Sequence, residues 1–195
     1  CKHNMKWNDS NLFVDSSVTS LSNCCRLKSS IKDIGYFNSI GGTALKVGSV
    51  KVNTVNLARL ALENKTEEKY LKALENLLWV DLMALDCVRD IIKRNVDKGL
   101  LKNFTYGLID FPHLYNTIGF IGIYETMKTF KYTTQDEFGN TFYTDKAEEF
   151  GRKIFEVIHR VKSEFMKNVD YQINCEQIPG ETAAAKLMKK DLFFF

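Results

Sequence analysis

Ser49-Val50-Lys51-Val52-Asn53-Thr54-Val55-Asn56-Leu57 alternates apolar and polar side chains and is rich in β-branched residues. That period of two is the mark of a strand, and the Ala58 to Glu63 stretch behind it can turn helical. Downstream, Thr66 can cap a helix whose first turn holds Glu67 and Glu68. Apolar residues follow at 71, 74, 77, 78, 82, 85, 88, 91 and 92, with Cys87 on the apolar side and read as core, until Gly99 ends the pattern. At 1.5 Å per residue such a helix spans about 48 Å, the dimension of a layer flanking a large sheet or barrel.

Further along, Thr117-Ile118-Gly119-Phe120-Ile121-Gly122-Ile123-Tyr124 reads as a buried strand whose glycines let another backbone come close. Residues 132–144 are polar, with a turn at Phe138-Gly139-Asn140. A second long helix is expected from Asp145, paired with Glu148 in a capping-box pattern, with the stripe Phe150, Ile154, Val157, Ile158, Val161 and Phe165. Tyr171 to Glu176 reads as a third strand, broken by Pro179-Gly180. Strand, helix, strand, helix is the alternation of an α/β fold. Upstream of Ser49 the chain is irregular, with Ser, Asn and Asp over residues 1–30 and glycines at 35, 41, 42 and 48.

Composition narrows the function. With 45% hydrophobic residues in 195, the chain can build a core as one domain. The net charge of +3 comes from 27 basic and 24 acidic residues that are well mixed, so neither a nucleic-acid partner nor a membrane surface is expected. No apolar run approaches the roughly 20 residues needed to cross a bilayer, and no signal-peptide plan opens the chain, which points to the cytoplasm. Five cysteines at 1, 24, 25, 87 and 175 fit reduced thiols better than a disulfide framework or a zinc knuckle. Cys1 at one end and Leu192-Phe193-Phe194-Phe195 at the other suggest a piece of a larger chain.

Three stretches could carry chemistry. Cys24-Cys25-Arg26 is either two packed thiols or a reactive thiol beside a cation. Asn174-Cys175-Glu176 either places an amide and a carboxylate at the mouth of a site or is a plain strand end. In Pro179-Gly180-Glu181-Thr182-Ala183-Ala184-Ala185-Lys186, Thr182 is an adequate cap and the alanines are strong helix formers. Such a start is usually an ordinary cap; alternatively, its free N–H groups and small side chains cradle a phosphate. Lys28, Lys32, Lys46 and Lys51 read as a solvated face.

Taken in order, Cys24-Cys25-Arg26-Leu27, Gly48 to Arg59, Tyr106-Gly107-Leu108-Ile109-Asp110, Thr117-Ile118-Gly119 and Asn174 to Glu181 resemble the anaerobic, class III, glycyl-radical ribonucleoside-triphosphate reductases. The resemblance implies part of a ten-stranded α/β barrel with long flanking helices, and residues 1–195 as a single segment of that catalytic domain. The regulatory cone and the glycyl-radical region would lie outside it. It implies Cys25, directly before Arg26, as the thiol that becomes a radical, and a ribonucleoside triphosphate substrate. The triphosphate would lie at Gly180, Glu181, Thr182, Ala183 and Ala184, with Asn174, Glu176 and Asn56 toward the ribose.

No cofactor is expected on this segment. The whole enzyme of the family carries a glycyl radical, made by an S-adenosylmethionine/iron–sulfur activating enzyme, and a structural zinc elsewhere, and is a homodimer. Asn23 stands where formate-using members carry methionine, so formate and a thiol both remain as reductant. The competing readings are another glycyl-radical enzyme, or a nucleotide-binding module that has lost the chemistry.

Overall fold

The computed structural model describes residues 20–22, 28–30, 48–178 and 180–194. Strands β1 (Ser20–Ser22) and β2 (Lys28–Ser30) pair antiparallel, with Ser20 opposite Ser30. Cys25, with Cys24 and Arg26, lies outside the described residues. Then come β3 (Gly48–Asn56), α1 (Leu57–Glu63), α2 (Glu67–Asp97), α3 (Lys102–Thr105) and a 3-10 turn at Phe111–His113. They are followed by β4 (Leu114–Ile121), α4 (Ile123–Thr129), the strands β5 (Thr133–Gln135) and β6 (Thr141–Tyr143), and α5 (Asp145–Met166). The chain finishes with β7 (Ile173–Gln177) and α6 (Glu181–Phe194).

β4 is the middle strand of a three-stranded sheet in the order β3-β4-β7. Asn116 donates its backbone N–H to Gln172 at 3.1 Å, and Ile178 donates to Phe120 at 3.3 Å. Partner numbers rise together, so β4 and β7 run parallel. Ser49 and Thr117 hydroxyls meet at 2.9 Å, and Gly119 faces the Asn53 carbonyl, so β3 has the same sense. Parallel neighbours need long crossovers, which α1 to α3 supply first and α4 to α5 second. The fold is therefore α/β with a parallel sheet, as the alternation in the sequence leads one to expect.

From residue 48 on, the described residues fall into two compact units, one holding 48–52, 86–117 and 170–174, the other 53–85, 118–169, 175–178 and 180–194. In the first, Arg89 is buried with its guanidinium between two rings, 4.5 Å from the Phe111 centroid and 4.1 Å from that of Tyr171. It donates to the carbonyls of Leu114 at 2.7 Å and Phe111 at 3.3 Å, while the Tyr171 hydroxyl donates to Asp86 at 2.6 Å. Burial lowers the Arg89 pKa, and neighbouring acids oppose that shift.

The second unit is built on Tyr70, Phe130, Tyr132 and Phe150, whose rings meet mostly edge to face, closest at 4.8 Å between Phe130 and Phe150. Desolvation pushes the Tyr70 hydroxyl up to about 12. Along α5 the buried residues are Ala147, Phe150, Ile154, Ile158, Val161 and Phe165, the expected stripe with Val157 only half-buried. The β5–β6 hairpin turns at the expected place, where Asp136 Oδ1 accepts the N–H groups of Phe138 at 3.0 Å and Asn140 at 2.8 Å.

Helix ends follow local rules with one shift. Thr66 Oγ1 accepts from Lys69 N–H at 3.4 Å at the start of α2. At its other end Gly99 is left-handed, and Leu100 donates to Asn95 at 3.0 Å and Gly99 to Val96 at 2.8 Å, a Schellman closure. For α5 the cap is Thr144, whose side chain accepts from Ala147 N–H, so Asp145 and Glu148 are first-turn acids and not the cap. The second strand also starts earlier than expected, at Leu114 directly after the 3-10 turn, and it ends earlier because Gly122 at φ 91 turns the chain and puts Tyr124 into α4.

The buried line of α2 is Tyr70, Leu74, Leu78, Leu82, Leu85 and Arg89. Leu77 and Ile91 are exposed, and so is Cys87, which is not core. Hydrophobic spacing alone misplaces this face because its two ends are a tyrosine and an arginine that bury flat surfaces against rings.

A Cβ on Gly122 would sit 2.9 Å from both the backbone nitrogen and the Cβ of Ala58, whereas Gly99, equally left-handed, has nothing within 4 Å. Gly99→Ala should therefore lose about 1 kcal/mol from the left-handed backbone, and Gly122→Ala about 1–3 kcal/mol more from overpacking. Urea midpoints measure the pair, and equal losses would contradict this packing.

Candidate functional site

Three strands of one parallel sheet end on one edge, β3 at Asn56, β4 at Ile121 and β7 at Gln177. Their carboxyl ends are where open parallel sheets gather ligands. A cavity of about 660 Å³ opens there, lined by Asn56, Ala58 and Leu62, by Ile121, Gly122, Glu125 and Thr129, and by Ala184, Ala185, Leu187, Met188, Asp191 and Leu192 of α6. Most of the wall is apolar, and its small residues bring backbone close to the space.

Asn56 is half-buried and already engaged. Its Oδ1 accepts the Arg59 N–H at 3.1 Å, capping α1, and its Nδ2 donates to Asp191 Oδ2 at 3.0 Å. Arg59 Nε donates to the other oxygen of Asp191 at 2.6 Å. Neither Arg59 nor Asp191 stands out in the sequence, since 132 residues separate them.

α6 begins at Glu181, and its first bond runs from Ala184 N–H to the Gly180 carbonyl at 2.6 Å. Gly180 therefore occupies the cap position, and Thr182, the expected cap, lies exposed inside the first turn. A Cβ there would stand 2.8 Å from Ile121 Cδ1, the tip of a side chain at the end of β4, so the glycine lets the helix start pack close against that strand end. The N–H groups of Glu181, Thr182 and Ala183 are the first-turn donors with no carbonyl behind them in α6, while that of Ala184 is taken. Ala183 is half-buried, and Ala184 contributes its methyl to the cavity wall.

On β7, Asn174 and Glu176 share one face of the strand, two residues apart. Asn174 is half-buried with its Nδ2 buried and unpartnered among the described residues, and Glu176 is buried. Neither lines the cavity. Cys175 is half-buried, and burial pushes its thiol up to about 11, with Lys162 opposing and Glu176 adding to the shift. A thiol so protonated is no nucleophile at neutral pH. Burial likewise raises the Asp81 carboxyl against its hydrogen bond with Asn53. Lys51 is exposed, as a solvated lysine should be. Among the described residues no three His, Cys, Asp or Glu side chains gather to hold a metal, and no helix is long and apolar enough to cross a membrane. The arrangement sets unpaired backbone N–H groups beside an apolar cavity with an amide and two carboxylates on its wall, and donors of this kind can accept an anion.

The family model for anaerobic ribonucleoside-triphosphate reductase matches residues 2–195. The crystal structure of the anaerobic ribonucleotide reductase from Thermotoga maritima with glycerol in the active site is 38% identical, with a TM-score of 0.76 over 83% of this chain and 27% of that one. With citrate in the active site the same enzyme gives 38% identity and a TM-score of 0.75, covering 81% and 29%. Its complex with dATP and CTP gives 37% and 0.73, covering 76% and 25%. The chain spans less than a third of the length of these structures. No curated protein matches it.

The two described thiols should separate chemically. Iodoacetamide at pH 8 should modify exposed Cys87 well before Cys175, read by peptide mass spectrometry. Because burial holds the Cys175 proton up to about 11, above the ordinary thiol value of 9.0, its contribution to stability is full below pH 9 and is lost as pH rises to 11. Cys175→Ala should flatten that decline in thermal melts, and an unchanged slope would reject the buried, protonated thiol.

Proposed function

The chain belongs to the anaerobic ribonucleoside-triphosphate reductase family, and we propose that residues 1–195 are the central catalytic segment of such an enzyme's barrel domain. The reaction is reduction of ribonucleoside triphosphates to 2′-deoxyribonucleoside triphosphates, with the 2′ oxygen leaving as water and two electrons supplied by formate or a thiol. The observation that carries this reading is the junction at Gly180. A glycine packed against the end of β4 opens a helix whose first turn presents the N–H groups of Glu181, Thr182 and Ala183, with alanines next to them. A helix start of this kind favours anions through its unpaired donors and its dipole, and small side chains let a phosphate reach them.

The triphosphate binds at residues 180–183, with Ala184 supplying wall and not a donor. The Thermotoga maritima enzyme, crystallised with dATP and CTP, supports a nucleotide as the class of ligand. Asn174 and Glu176 share a face of β7 off the cavity wall and are assigned to the ribose by the family resemblance, and Asn56 holds the edge of the cavity. Cys25 carries the radical: its sulfur takes the hydrogen from ribose C3′, forming S–H as the C–H bond breaks, and later gives it back. Sulfur suits this role because its bond to hydrogen is weak enough for exchange in both directions. The glycyl radical of the whole enzyme, generated by an S-adenosylmethionine/iron–sulfur activase, supplies the oxidising equivalent for that thiol. The structural zinc belongs to parts of the enzyme outside residues 1–195, and the whole enzyme is a homodimer.

In the complete, activated enzyme, Cys25→Ser should abolish deoxynucleotide formation and leave nucleotide binding unchanged, measured by product assay and by equilibrium dialysis with a ribonucleoside triphosphate. Retained turnover would reject Cys25. Loss on Cys24→Ser alone would move the radical to its neighbour.

A further inference from the structure

We propose that Asp191 is a positioning residue of this site, acting through Asn56 and Arg59 to hold α6 in one orientation against the start of α1. This rests on the triphosphate reading of the first turn of α6. Asp191 lies eleven residues after Gly180, about 16 Å along the helix axis. At one end α6 is seated by Gly180 against Ile121, and at the other by the Asp191 carboxylate, with one oxygen on Arg59 Nε at 2.6 Å and the other on Asn56 Nδ2 at 3.0 Å. Between these points the helix face forms a wall of the cavity.

Such a two-point hold is stronger than an exposed ion pair. The carboxylate side chain is only 15% exposed, and both of its oxygens are used. Asn56 is simultaneously the cap of α1, so the clamp ties a helix end fixed by β3 to the helix that carries the anion-binding turn. Without it, α6 would keep its glycine seat and could swing about it, carrying the N–H groups of Glu181 to Ala183 out of alignment. Most residues of α6 after Gly180 are exposed, which leaves few other contacts to resist that swing.

The test uses the complete enzyme, of which this chain is a segment, with inorganic tripolyphosphate as probe and two readouts. Asp191→Ala should raise the tripolyphosphate dissociation constant by about tenfold and speed amide hydrogen exchange over residues 184–194, leaving α2 and α5 protected. Asp191→Asn, which keeps the shape and one acceptor, should fall between. The exchanged pair Arg59→Asp with Asp191→Arg restores the ion pair but not the Asn56 Nδ2 contact, so it should recover part of both readouts, as a general loss of folding would not. Unchanged exchange in α6, or looser exchange with unchanged tripolyphosphate affinity, would overturn the positioning role. If the unsubstituted enzyme takes up no tripolyphosphate, the triphosphate reading fails, and the exchange result alone decides whether Asp191 holds the helix.

Discussion

Burial of β4 on both faces constrains everything else. Seven consecutive residues from Leu114 to Phe120 are buried, Asn116 and Thr117 among them, so each backbone group there must find a strand beside it and each side chain a packed layer above or below. A parallel sheet meets the first demand with β3 and β7, and the crossover helices meet the second. Close approach of the strands then requires Gly119, where a Cβ would stand 2.7 Å from Ile178 and 3.1 Å from the Asn53 carbonyl. The same crowding reappears at Gly122 and Gly180, and the strand ends it brings together define the edge where the cavity lies.

How much of this can be read from the residues depends on the range of the interaction. β3 and the turn into α1 are legible within one residue, because alternation and its loss at the helix are local signals. The limits of α2 are legible for the same reason, from Thr66 and Gly99. Its buried face is not, since Arg89 reads as solvent-facing until Phe111 and Tyr171 are known to enclose it. Cys87 was assigned to the core by spacing and is exposed, for the complementary reason that the true face is rotated toward Tyr70 and Arg89.

The candidate site divides along the same line. A helix after Pro179-Gly180 can be recognised from its alanines, though with its cap two residues late at Thr182, and Asn56 can be recognised as a strand end from sequence alone. The partner that occupies the Asn56 amide cannot, because Asp191 is 135 residues away and sits in a helix with no distinguishing pattern around it. Cys25 is assigned through the family resemblance and by no geometry, as it falls outside the described residues.

The slot that holds Arg89 has a consequence for how this chain can vary. Two rings 4.5 and 4.1 Å from one guanidinium carbon leave the thickness of a single flat cation, and the carbonyls of Leu114 and Phe111 ask for donors in its plane. Lysine presents a round ammonium on a flexible stem and meets neither requirement. Positions 89, 111 and 171 are therefore energetically coupled, and the cost of an exchange at one depends on what stands at the other two.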